Sequence, residues 1–81
     1  MSVRVRRLVS AYDKKTDKFV RDYELTNLNV NEVQKLFNQN SGDPMYYCYC
    51  ITEKEAPYFR KKYGYRFYFS KWVYFLETRE Y

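Results

Sequence analysis

Fourteen of the chain's 18 aromatic side chains fall within residues 45–81, and eleven of the 18 are tyrosines. That distribution constrains the fold more than any other feature. A chain of 81 residues builds one small domain with a marginal core. So many hydroxyl-bearing rings exceed what such a core can take in. Tyrosine combines a large apolar face with a polar tip that tolerates water, and for that reason it is enriched at binding surfaces. Phe59, Phe67, Phe69, Trp72 and Phe75 are therefore expected to form the core of a sheet poor in aliphatic residues, leaving the tyrosines for recognition.

Local patterns divide the chain into short elements. Val3, Val5, Val9 and Ala11 share one parity and Arg4, Arg6, Ser10 and Tyr12 the other, as in a half-buried strand, although Arg7 and Leu8 interrupt the alternation. Residues 13–18 are a polar hairpin loop, and Phe19 to Leu25 the return strand. Asn29 with Glu32 forms a capping box, and Val30, Val33, Leu36 and Phe37 follow at helical spacing to about Asn38. After a loop over residues 39–44, Met45 to Ile51 is expected as a third strand. It would place Met45, Tyr47, Tyr49 and Ile51 on one face and Tyr46, Cys48 and Cys50 on the other.

Thr52 with Glu55 forms a second capping box, opening a helical segment through Ala56, Phe59 and Tyr63 that Pro57 threatens to kink and Gly64 ends. Tyr65 to Phe69 and Trp72 to Thr78 then suggest a hairpin over Ser70 and Lys71. Adjacent strands usually pair. The expectation is an α+β domain over residues 1–81: an antiparallel sheet of four or five strands with one or two short helices on one face.

The chemistry is that of a binder. There is no histidine, hence no common general base, no usual partner for a nucleophile and no commonest metal ligand. With two glycines in all, Gly42 and Gly64, a phosphate-cradling loop is excluded. Carboxylate pairs such as Asp13 with Asp17 and Glu53 with Glu55 lie at turns and helix starts, where capping accounts for them. Cys48 and Cys50 sit too far apart on a strand for an easy disulfide and are too few for structural zinc. They read as reduced thiols packed as small hydrophobes. No enzyme activity, metal or cofactor is expected. No run of about 18 apolar residues occurs, nor a signal-peptide core, so a cytoplasmic protein without membrane contact is expected.

Three segments resemble one family. Residues 11–19, with Tyr12-Asp13-Lys14 and Thr16, look like the aromatic-Asp-Lys-x-Thr hairpin of the cloacin immunity proteins, partners of ribosome-inactivating colicins. Residues 51–59 resemble the stretch after that family's third strand, and Trp72-Val73-Tyr74-Phe75-Leu76-Glu77 its closing strand. The resemblance implies an antiparallel sheet with a short helix, no catalysis, and stoichiometric neutralisation of a cognate nuclease toxin domain, of bacteriocin or contact-dependent inhibition type, by a monomer or weak dimer. It places Tyr47 at a specificity position on the third strand, with Tyr49 on the same face, and adds Arg21, Tyr23 and Asp43 from the second strand and neighbouring loops.

One departure stands out. The colicin immunity proteins are acidic, whereas this chain carries a net charge of +5. Acidic inhibitors suit the positive substrate sites of nucleases, so a basic one is expected to bind away from the active site or to meet an acidic surface. Aromatics interleaved with Arg60, Lys61, Lys62 and Arg66 keep a second reading open, a small RNA- or DNA-binding module.

Overall fold

The computed structural model describes residues 5–80. Val3 and Arg4 of the expected first strand lie outside them. The elements run β1 (Val5–Asp13), β2 (Phe19–Glu24), α1 (Val30–Leu36), β3 (Tyr49–Ile51), α2 (Ala56–Tyr63) and β4 (Trp72–Glu80). The four strands form one antiparallel sheet in the order β2-β1-β4-β3. Both helices contribute to a core on a single face of it, where Val33 and Phe59 meet Val9, Ala11, Ile51, Tyr74 and Leu76. The fold is α+β, as the sequence suggests. No helix among the described residues is long and apolar enough to cross a membrane.

Local chemistry explains the punctuation. Asp13 Oδ1 accepts from the N–H groups of Lys15 and Thr16 at 2.8 and 3.0 Å, closing an Asx-type turn between β1 and β2. Those amides, Thr16 first, hold the Asp13 carboxyl below its ordinary value. Asn29 caps α1 by accepting from Glu32 N–H at 3.2 Å. Gly64 ends α2 at φ 66°, with its N–H on the Arg60 carbonyl, a backbone conformation that glycine adopts without the penalty a Cβ brings. Pro57 does not kink α2. It occupies the first turn, where its missing N–H would have had no helical acceptor.

The interruption at Arg7 and Leu8 leaves β1 continuous. Leu8 lies on the outer face and is 1% exposed, with an ion pair between Asp22 on β2 and Arg79 on β4 spanning β1 at 2.6 Å. Arg7 lies on the helix side and spends its guanidinium on loop carbonyls described below.

Four expectations are corrected. Residues 65–69 form no strand. Both edges of β4 are taken, by β1 and β3, so this segment does not pair with β4 as a hairpin and packs on the core instead. Its alternation survives: Tyr65 is buried and Phe67 and Phe69 pack on the core, while Arg66 and Tyr68 are exposed. The third strand is three residues rather than seven, because Met45 adopts φ 59° and breaks the extended chain. Phe75 is not core; it faces the uncovered side, and Tyr74 takes the central place. Tyr74 is fully buried and ringed by Tyr65, Phe67, Phe69 and Trp72, with centroids 4.8–6.4 Å away. Its hydroxyl accepts from Tyr68 N–H at 2.9 Å, which satisfies the buried polar atom. Finally, Cys48 and Cys50 are free thiols as expected, but both are exposed.

Candidate protein-binding surface

The five expected contact residues separate into two groups. Arg21 and Tyr23 lie on β2; Tyr47, Tyr49 and Asp43 lie on or before β3. Those strands are the two edges of the sheet, three interstrand spacings or about 14 Å apart. The fold does not bring the five together.

At the β3 edge, the loop before the strand is anchored from three sides. The Arg7 guanidinium donates to the carbonyls of Met45 and Pro44 at 2.5 and 3.0 Å and to Thr78 Oγ1 at 2.9 Å. Thr78 Oγ1 also donates to the Met45 carbonyl. Gln34, buried on α1, donates to the carbonyls of Ser41 and Asp43 at 3.1 and 2.6 Å. Burial pushes the Arg7 guanidinium below its ordinary value, opposed by the nearby Tyr46 and Tyr49. Asp43 turns inward too: its carboxylate accepts from Met45 N–H at 2.8 Å and lies against the Tyr49 hydroxyl, which burial and then Asp43 push up. The Tyr49 ring packs on Phe37 at 5.6 Å. Asp43 and Tyr49 thus build the loop, and what the loop presents is Tyr46, 50% exposed with Arg7 over its ring, and Tyr47, 78% exposed.

At the β2 edge, Tyr23 continues an aromatic run into the domain. Its ring meets Tyr65 and Tyr63 at 5.2 and 6.4 Å, and Tyr65 meets Phe67 and Tyr74. Arg21 lies over the Trp72 ring at 4.9 Å.

The uncovered sheet face carries a third feature that sequence reasoning did not single out. Tyr12 packs edge-on against Phe19 and Phe75, each at 5.8 Å. A groove of about 350 Å³ runs alongside, lined by Tyr12, Asp17, Cys48, Val73, Phe75 and Glu77. The Tyr12 hydroxyl donates to Glu77 Oε2 at 2.9 Å, a bond that raises its proton affinity. Burial, then Glu77 and Cys50, push the Cys48 thiol up, which favours the thiol over the thiolate. On the outward positions of β1, β2 and β4, the charges among the described residues are Arg6 and Arg79 against Asp22, Glu24 and Glu77. These strand positions balance to within one charge, and two carboxylates, Asp17 and Glu77, line the groove. The signal was present in the off-parity positions Tyr12, Cys48 and Cys50, but parity alone does not say which face the helices cover.

Among the described residues no group of three or more Cys, Asp or Glu side chains converges as a metal site. What the surface offers is exposed tyrosines at an anchored loop and a groove with an aromatic lining.

No curated protein and no solved structure matches the chain. A family model described as a domain of unknown function, DUF7683, matches residues 6–77, from β1 into β4. Since the match takes in most of the domain, the chain belongs to the DUF7683 family.

Proposed function

We propose that this protein is an immunity protein, binding a cognate bacterial nuclease toxin domain in the cytoplasm and neutralising it by stoichiometric association. The observation that carries the reading is the uncovered sheet face, where an aromatic groove is lined by the carboxylates of Asp17 and Glu77 although the chain as a whole is basic. The positive substrate site of a nuclease is repelled by a net charge of +5 but attracted by local carboxylates. Positive charge such as that of Arg60 and Lys61 on α2 lies outside the groove lining. Tyr47 is presented at the β3 edge from its anchored loop and serves as an aromatic anchor with low ordering cost.

The test is to mix the purified protein with the C-terminal nuclease domain of any large secreted protein found encoded beside it and follow nucleic-acid cleavage. Cleavage should fall linearly to zero at one equivalent of inhibitor, and association should slow as salt is added. Undiminished cleavage with a saturating excess would remove the proposal. Tight binding to bare RNA or DNA that weakens steeply with salt would replace it with the nucleic-acid reading.

A further inference from the structure

β2 is an outermost strand, and all six of its residues are exposed. Its free edge can be assigned atom by atom. Leu25 N–H donates to the Arg7 carbonyl at 2.8 Å, which makes residues 7 and 25 a hydrogen-bonded pair. Such pairs recur at every second residue of an antiparallel ladder, so Val9 with Tyr23 and Ala11 with Arg21 are the bonded pairs. The main-chain N–H and C=O groups of Asp22 and Glu24 therefore turn away from β1, toward the open edge.

The charges along this edge are not equivalent. Asp22 is held by Arg79 at 2.6 Å and by the Ser10 hydroxyl at 2.8 Å. Glu24 is held by Arg6 at 2.7 Å. Arg21 makes no ion pair among the described residues, and its guanidinium is stacked on Trp72. Arg21 itself is exposed, and an ordered guanidinium fork without an ion pair is matched to a carboxylate.

We propose that the open edge of β2 receives an extended acidic segment of a partner protein as a fifth strand, with Arg21 taking a carboxylate on that segment. The incoming strand bonds to the free main-chain groups of Asp22 and Glu24, and its alternate side chains fall beside Arg21 and Tyr23. Acidic residues at every second position suit the occupant, because the opposite parity meets Asp22 and Glu24, whose charges are already matched. The inference goes beyond the proposed function: it concerns the sheet edge remote from β3 and holds for any protein that supplies such a segment.

The probe is a synthetic peptide of about ten residues with glutamate at alternate positions and threonine between, compared with its glutamine counterpart. Backbone amide NMR should show the glutamate peptide shifting the Asp22 and Glu24 amides and slowing their hydrogen exchange. The glutamine peptide should bind about tenfold more weakly. Arg21→Gln should abolish that preference, and it removes no ion pair among the described residues. Shifts centred on another surface, equal binding of the two peptides, or no binding by either would overturn the inference. Because the probe is a peptide, loss of this inference leaves toxin neutralisation untouched, and loss of the toxin reading leaves the edge site standing.

Discussion

The Arg7 guanidinium donates to the main-chain carbonyl of Met45 across a sequence separation of 38 residues, at 2.5 Å. This bond joins the inward side of β1 to the loop that carries Tyr46 and Tyr47. It makes an arginine, placed where the strand pattern asks for an apolar residue, the anchor of the loop that carries Tyr47, the most exposed aromatic among the described residues.

Arg7→Ala should therefore cost about 2–3 kcal/mol, since it leaves the Met45 and Pro44 carbonyls without a charged donor. Urea unfolding measures the loss. Amide exchange over residues 43–48 should rise further than the global destabilisation requires, because the anchor is local.

Tyr47→Ala should leave stability within about 0.5 kcal/mol of the parent, because an exposed loop ring buries little. The same change should weaken the toxin complex by about 2 kcal/mol if the ring is an anchor. Calorimetric titration against the toxin domain, with a thermal melt of the free protein, separates the two effects.

Tyr74→Phe keeps the ring and removes the acceptor of Tyr68 N–H, with an expected loss of about 1 kcal/mol. Tyr74→Ala opens the centre of the aromatic cluster and should cost about 3–5 kcal/mol, enough to unfold a domain of this size. If Tyr74→Phe equalled Tyr74→Ala in denaturant titrations, packing would not be what the ring supplies.

Six tyrosines predict alkaline lability. The hydroxyls of Tyr49, Tyr58, Tyr63, Tyr65 and Tyr74 are pushed up chiefly by burial, and that of Tyr12 chiefly by its bond to Glu77. Raised values mean that the folded chain keeps protons the unfolded chain releases. This stabilisation is complete below the ordinary tyrosine value of about 10 and is lost as pH rises through the folded values. Tyrosinate absorbance should therefore rise cooperatively with unfolding above pH about 10, later and more steeply than in urea-unfolded protein. Independent, gradual ionisation of all the tyrosines would contradict the burial.

Much of the fold is legible locally. The Asn29 cap, the Asp13 turn and the left-handed Gly64 each need only a few neighbouring residues, and each occurs where the sequence places it. The parity of β1 holds as well, including the arginine that seemed to break it. The hairpin at 65–69 was not legible, because alternation shows that one side of a segment is buried without showing whether a sheet edge is available. The exchange of Phe75 for Tyr74 has a similar origin: hydrophobicity ranks phenylalanine above tyrosine, whereas the register of β4 decides which of two neighbours faces inward. Of the expected contact residues, Tyr47 is the one left fully presented, while Asp43 and Tyr49 are drawn into building its loop.

By itself, the sequence determined the kinds of element, their caps and turns, the excess of rings over core, and the lack of histidine chemistry, because these depend on neighbouring residues and composition. The tertiary structure decided the rest. Setting β1 and β4 between β2 and β3 sends Arg21 and Tyr23 to one edge and Tyr47 to the other, and leaves one sheet face uncovered with its groove and carboxylates. Strand order depends on which edges compete for pairing across the whole chain, a choice that no local window of sequence records.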